Sequence, residues 1–430
     1  MDPAKDLPIG VIGAGPVGLA AAAHLLERGL EPLIFEAGPS AGAAMEQWRH
    51  IRLFSPWRFN IDAAAVRLLE SAGWETPRPA ALPYGGDMID GYLAPLAELP
   101  AIGSRLQTGA RVISVTRAGM DKTHTSHREA TPFIVRVEHE DGETRDHVVA
   151  AVIDASGTWS SRNPLGTSGL PAIGEDAAAE RISSPLPDVT GRDRASFAGR
   201  RVLVIGAGHS AANTLISLAD LARAEPDTRI LWAVRGASAE KVYGGGDADG
   251  LPARGQLGSR LRRLVESGTI ELLTGFGIGS MKSLDSHVSV EAVDGRILDV
   301  DVVVPCTGFR PDLGILRELR LELDPAVEAP RGLGPLIDPE FHSCGTVPPH
   351  GAKLLAHPDQ GFYIVGMKSY GRAPTFLLAT GYEQVRSVVA ALAGDHEAAD
   401  SVQLELPETG VCAAGAGISC DVPAAATATA

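Results

Sequence analysis

The sequence predicts an α/β fold built from two strand–turn–helix units, the second inserted into the first. Three observations predict it. Pro8 to Leu19 reads as an apolar strand broken by Gly13, Gly15 and Gly18 and continued at helical spacing by Val17, Ala20, Ala21 and Leu25. Arg201 to Ala212 repeats that grammar, with Gly206, Gly208 and Ala211 in the three places. Two buried-looking strands, Val152–Ile153 and Val302–Val304, each run into a glycine turn, Asp154 to Thr158 and Cys306 to Asp312. These echoing segments read as the two crossings between units. The fold class is therefore α/β with two Rossmann-like, dinucleotide-binding domains, the first discontinuous.

In the first unit each glycine has its own task. Gly13 permits the tight turn, Gly15 keeps side-chain atoms away from a pyrophosphate, and Gly18 lets the helix approach the strand. The helix N-terminus offers N–H groups and partial positive charge to phosphates. The next strand, Pro32 to Phe35, ends in Glu36, placed to accept hydrogen bonds from a ribose hydroxyl. After a loop of small residues, the chain from Trp48 to Arg58 carries two tryptophans, a phenylalanine and three arginines, although aromatics are only 5% of the chain. Alternation then predicts strands at Arg111–Val115, Phe133–Val137 and Val148–Ile153, with the polar stretch Met120–Ala130 as a hairpin tip. Ser160 to Ala198, rich in Pro, Gly and Ser, reads as a loop or linker.

The second unit has its strand at Val202–Ile205, its helix at about Ser210–Arg223, and a further strand, Arg229–Val234, that ends in Arg235. Arginine there suits a 2′-phosphate that an acid would repel, so this site should prefer NADPH to NADH. One Glu-ended and one Arg-ended unit imply two different nucleotides, with hydride passing between them. A helix at Gln256–Ser267 and a strand at Thr269–Leu273 continue the unit. Beyond it, Gly361–Gly366 reads as a strand and Thr375–Ala393 as a helix, whose N-terminus would stabilise negative charge on a reduced flavin.

Gly13, Gly15, Gly18 and Glu36, the Asp154–Thr158 turn with Gly157 and Trp159, Gly206, Gly208 and Ala211 with Arg235, and the Cys306–Asp312 turn with Gly308 together resemble the two-dinucleotide-binding flavoproteins. Among these, the order and the Gly-Thr-Trp turn resemble the flavin-containing (class B) monooxygenases over residues 9 to about 393. The resemblance implies FAD and NADPH as cofactors. It also implies oxygenation of a nitrogen, a sulfur or a ketone through a flavin hydroperoxide, with Arg235 on the 2′-phosphate. It implies FAD-binding segments at 1–157 and 306–398 around an NADPH-binding segment at 158–305. Trp48 and its neighbours to Arg58 read equally as a cover over the isoalloxazine ring or as a packed surface loop. Ser210 and Thr375 complete the expected cofactor-binding set at the two helix N-termini. The chain departs from those monooxygenases in two places. Phe197-Ala-Gly199 lacks the histidine of their signature before the second fingerprint, and Gly366 is followed by Met367 where disulfide-reductase-like flavoproteins carry Asp. Ser343–His350 and Lys368–Arg372 also resemble a group of flavoproteins found beside arsenic-resistance genes.

Composition bounds the alternatives. The chain has 430 residues and a formal net charge of −15, a poor basis for binding nucleic acid or anionic membrane. Its apolar run from Ile9 to Leu26 contains the motif glycines, Pro16 and His24 and follows no basic segment. It therefore reads as neither signal peptide nor membrane anchor, and a cytoplasmic location is expected. Four cysteines make no disulfide framework, and no Cys-x-x-Cys occurs. Residues 399–430 are Ala-rich and read as a disordered tail containing Cys412 and Cys420. His342, Cys344 and His350 do not close a four-ligand zinc set, so no metal is expected. Three functions fit: an NADPH-dependent monooxygenase of a small molecule using molecular oxygen; a reductase of a thiol, disulfide or arsenical through the tail cysteines; and a redox-sensing flavoprotein without turnover. No motif fixes the substrate or a catalytic residue.

Overall fold

The computed structural model describes residues 7–244, 252–340, 347–373 and 376–404. In chain order, β1 (Ile9–Ile12), α1 (Pro16–Glu27) and β2 (Pro32–Phe35) come first, followed by α2 (Ala63–Ser71) and β3 (Leu106–Gln107). A meander of β4 (Ala110–Arg117), β5 (Phe133–His139) and β6 (Thr144–Val149) precedes β7 (Ala151–Asp154). Next are β8 (Arg201–Ile205), α3 (His209–Ala224), β9 (Arg229–Ala233), α4 (Pro252–Glu266) and β10 (Glu271–Leu273). A second meander, β11 (Ile278–Ser283), β12 (Val288–Ala292) and β13 (Ile297–Val300), leads into β14 (Val302–Pro305), and β15 (Phe362–Ile364) and α5 (Leu378–Leu392) close the order.

Two parallel sheets result. The first has the order β15-β7-β1-β2-β3, and the second β10-β9-β8-β14. All of the second sheet lies in sequence between β7 and β15, which are neighbours in the first. The α/β class with two Rossmann-like units is thus the observed architecture.

Each sheet is apolar on both faces because each is covered on both. In the second sheet, Val202, Val204, Ile230 and Trp232 pack with α3, while Leu203, Ile205, Leu231 and Ala233 pack with β11–β13. The two sets alternate along the strands, as the period of a strand requires. In the first, Val11 and Ile34 pack with α1 and α5, and Ile12, Phe35, Val152 and Ile364 pack with β4–β6. The uninterrupted apolar runs of β1 and β8 follow from this double burial. β4, more exposed on one face, keeps alternation instead.

Several boundaries differ from those expected. α4 begins at Pro252, which suits a first helical turn because its missing N–H has no intrahelical partner anyway. α5 begins at Leu378 rather than Thr375. Met120–Ala130 is not simply a polar hairpin tip: it delivers Arg128, 4% exposed, into a buried cluster. There Asp359 accepts from Arg128 Nε at 2.7 Å and Nη2 at 2.9 Å, from Arg117 Nε at 3.3 Å and from the Arg320 N–H at 2.6 Å. Elsewhere Asp62 caps α2 by accepting the Ala65 N–H at 2.9 Å and also meets His24 Nε2 of α1 at 3.0 Å, so one carboxylate starts α2 and ties it to α1.

Candidate functional site

Both glycine turns have the geometry their sequences require. Gly13 has φ +97°, and a Cβ there would lie 2.9 Å from the Ala155 carbonyl oxygen just beyond β7. Gly206 has φ +135°, and a Cβ there would collide with the Cys306 carbonyl just beyond β14. Each turn thus presses against the end of the neighbouring strand, which is why the two crossing segments echo one another in sequence. Gly15 and Gly208 stand at the N-caps of α1 and α3, with no capping side chain on either. A Cβ on either would meet nothing within 4 Å. The starts of both helices therefore face open space at these positions, a cradle for a diphosphate. Gly18 is packed against the Gly13 carbonyl and Ala211 is fully buried, so the third place serves helix–strand contact in both units. Ser210 lies in the first turn of α3.

The acid and the arginine at the strand ends differ in their occupation. Glu36 Oε2 accepts the Ala14 N–H at 2.8 Å, and Oε1 accepts the Gly38 N–H at 2.8 Å. The carboxylate ties the glycine turn to the turn after β2 and keeps lone pairs free, since two oxygens offer about four acceptor sites. Arg235 is exposed and donates from Nη1 to the Thr167 carbonyl at 3.3 Å.

The crossings run side by side. Asn163 N–H donates to Gly308 O at 2.8 Å, Arg310 N–H to Ser161 O at 2.9 Å, and Thr307 Oγ1 to Asn163 O at 2.6 Å. Gly157 (φ +67°) and Gly308 (φ +82°) take the left-handed conformation that the turns demand. Trp159 stacks on Phe309 with centroids 4.9 Å apart, and Trp48 lies 6.4 Å from Trp159. Trp48 therefore belongs to an aromatic cluster at the seam between the units. The rest of its stretch divides: Trp57 is buried in the first core, and Arg49 is paired with Glu46 and Asp90.

Sequence reasoning missed a polar network behind the first turn. Lys368 and Asp154 are both buried, with Nζ 2.7 Å from Oδ2 and 3.0 Å from Ser156 Oγ. Gln384 of α5 accepts the Gly366 N–H at 2.7 Å and donates to Ser369 Oγ and His350 Nε2, each at 2.9 Å. His350 Nδ1 lies 3.0 Å from the Pro348 carbonyl, so the neutral tautomer with its proton on Nδ1 satisfies every partner. Burial lowers its pKa in keeping with that form. Gly366, at φ +66°, abuts Val17 in the first turn of α1. The network therefore seats the Gly366–Tyr370 turn against the first cradle. Lys368 stands one place after Met367, and the segment offered no signal that this lysine is buried.

Thr375, Cys344, His342, Cys412 and Cys420 lie outside the described residues. Among the described residues the one cysteine is Cys306, and burial pushes its thiol up to about 12. No group of three His, Cys, Asp or Glu is placed there to share a metal ion. No helix of the described residues is long and apolar enough to cross a membrane.

Two open diphosphate cradles on two parallel sheets suit two dinucleotides, and the family match makes the chain an oxidoreductase that pairs FAD with NAD(P)H. Residues 7–328 match the Pyridine nucleotide-disulphide oxidoreductase family, and the chain belongs to it. Among solved structures, it is similar to the bacillithiol disulfide reductase of Bacillus cereus (19% identity, TM-score 0.65, 90% of this chain and 99% of that one). It is also similar to the cadaverine monooxygenase DfoA of Erwinia amylovora (12% identity, TM-score 0.62, 94% and 98%). A third is the ornithine N-hydroxylase of Kutzneria sp. 744 (15%, TM-score 0.60, 91% and 99%). At these identities the likeness is one of fold. A ferredoxin–NADP reductase of Rickettsia felis is 28% identical over 129 residues, which is 29% of this chain and only 33% of that protein. Family membership makes the chain an enzyme, so the reading as a flavoprotein without turnover is set aside.

Proposed function

We propose that the chain is an NADPH-dependent FAD monooxygenase acting on a small molecule with molecular oxygen. FAD would be held by Gly13, Gly15, Gly18 and Glu36, with Gly157 and Trp48 nearby. NADPH would be held by Gly206, Gly208, Ser210, Ala211 and Arg235, with Gly308 at the crossing. The flavin supplies two-electron transfer from the nicotinamide to an acceptor. The supporting observation is Cys306: it sits at the end of β14, buried, with its thiol held far above neutral pH. A thiol in that state is a poor nucleophile, so among the described residues no thiolate is available to relay electrons to a disulfide. The aromatic cluster of Trp48, Trp159 and Phe309 favours the same reading, because apolar surface at the seam limits water there. The net charge of −15 gives nucleic acid no footing as a partner.

The deciding experiment mixes NADPH-reduced protein with oxygen in a stopped-flow spectrometer. Return to oxidised flavin in two separated phases, with peroxide appearing only in the second, is expected. A single phase with immediate peroxide release would overturn the proposal. The alternative, reduction of a disulfide or an arsenical through Cys412 and Cys420, draws on the fold shared with a bacillithiol disulfide reductase. It requires that removing residues 408–430 abolish NADPH-dependent reduction of a disulfide dye while FAD is retained.

NADPH preference rests on Arg235. Charge-assisted hydrogen bonds to a 2′-phosphate contribute about 1.5–3 kcal/mol each. Arg235→Ala should therefore raise KM for NADPH on the order of tenfold or more and leave KM for NADH nearly unmoved. Equal losses would remove the assignment.

A further inference from the structure

The stretch from Arg49 to Arg58 lies along the seam between the two units. His50 is half-buried against the 187–193 segment. The Phe54 ring lies 5.1 Å from the ring of His209, the first residue of α3. A strap from the first unit is thus docked at two points on the second.

Arg52 stands between those points. It forms an antiparallel bridge with Tyr84, flanked by Leu53 N–H to Pro83 O and Gly85 N–H to Ile51 O, each at 2.9 Å. In such a pair, directly opposed side chains share a face and successive ones alternate. Leu53 packs on the first core. Arg52 and Tyr84 take the other face, and both are exposed. Phe54, two residues on from Arg52, meets His209.

The other arginines of the strap are engaged: Arg49 with Glu46 and Asp90, Arg58 over the Phe59 ring at 4.8 Å. Arg52 makes no hydrogen bond, ion pair or ring contact among the described residues. Among the described residues no counter-charge is placed on this exposed guanidinium, which stands two residues before the Phe54–His209 contact at the start of α3, the helix that follows the Gly206–Gly208 turn.

We propose that Arg52 is a phosphate ligand supplied across the seam to the dinucleotide bound at the second fingerprint, with Phe54 seating the strap on α3. This rests on the second fingerprint being the nicotinamide-dinucleotide site. A guanidinium offers paired donors suited to a diphosphate. The diphosphate is common to NADP+ and NAD+, so Arg52 serves both, whereas Arg235 would serve the 2′-phosphate alone.

The test is equilibrium binding of NADP+ and of NAD+ to the oxidised FAD-loaded protein, followed by the flavin difference spectrum or by calorimetry. Arg52→Ala should weaken both nucleotides by the same factor, on the order of tenfold, and reduce the salt sensitivity of binding. FAD content and melting temperature should be unchanged, and Arg52→Lys should restore most of the affinity. Arg52→Gln, which keeps the length without the charge, should behave like Arg52→Ala and serves if alanine disturbs the strap. Unchanged affinities would overturn the proposal. Loss confined to NADP+ would move Arg52 to the 2′-phosphate, and loss of FAD would move it to the first cradle; either overturns it as well. If the unaltered protein binds neither nucleotide, the reading of the second fingerprint falls first and this proposal with it.

Discussion

Gly15 separates a role in binding from a role in folding. Its Cβ position opens onto empty space, so a larger side chain there clashes with nothing in the protein and would obstruct only a bound diphosphate. Gly15→Val should fold, melt like the FAD-free original protein and purify without FAD; a full complement of FAD would show that the cradle is misassigned. Lys368 is the opposite case. It is buried with Asp154, and breaking such a pair from one side costs about 3–5 kcal/mol because the remaining charge is left uncompensated. Lys368→Met should lower the urea midpoint accordingly, and adding Asp154→Asn should recover most of the loss. If the single variant unfolds at the same urea concentration as the original, the pair is immaterial. These residues also show what a single sequence reveals. Gly15 is readable because a turn, a helix start and a missing side chain are local matters. Lys368 is not, because Asp154 stands 214 positions away.

Among the elements, the same divide appears. β1, α1, β2, β8, α3 and β9 were all legible from period and punctuation, and so were β4 and β5, whereas the expected strand Val148–Ile153 runs together the end of β6 (Thr144–Val149) and β7 (Ala151–Asp154), which lie in different sheets. The 118–132 turn was not. Its sequence is polar, yet it carries Arg128 into contact with Asp359, 231 positions on, while Arg117 of β4 stacks over Phe133 of β5 at 3.7 Å. One carboxylate thereby holds β4, the turn and the approach to β15 together. Asp359→Asn would leave two buried guanidinium groups without a counter-charge, at a cost of about 3–5 kcal/mol. Amide exchange should accelerate in β4 and β5 before it does in β8 and β9. Uniform acceleration in both units would show that the cluster is not a local clasp. Glu36 is a milder instance: its place at the end of β2 was legible, but its bonds to the Ala14 and Gly38 N–H groups were not.

For the whole molecule, acid is the expected weakness. His357 is buried, which lowers its pKa from the usual 6.5 to about 4, and its Nδ1 accepts the Glu322 N–H at 3.3 Å. Burial also lowers His350. The unfolded chain takes up protons on these groups before the folded one does, so stability is full above pH ~6.5 and is lost as the pH falls from there towards the folded values. For His357 the loss would reach on the order of 3 kcal/mol near pH 4. Melting temperature should therefore decline across that window, and less steeply in His357→Gln. An identical slope in the variant would assign the acid sensitivity to other groups.

The side-by-side crossings carry one more consequence. Asn163 N–H and Gly308 O are 2.8 Å apart, so the chain leaves the first body and re-enters it at nearly the same point. Everything from 164 to 306 is then topologically a single long excursion from one hairpin base. Such a segment can be deleted and its ends joined by a short glycine-containing turn without stretching the backbone. A chain shortened in this way should still close the five-stranded sheet, because β7 and β15 pair directly with each other, and it should still turn yellow when FAD is added.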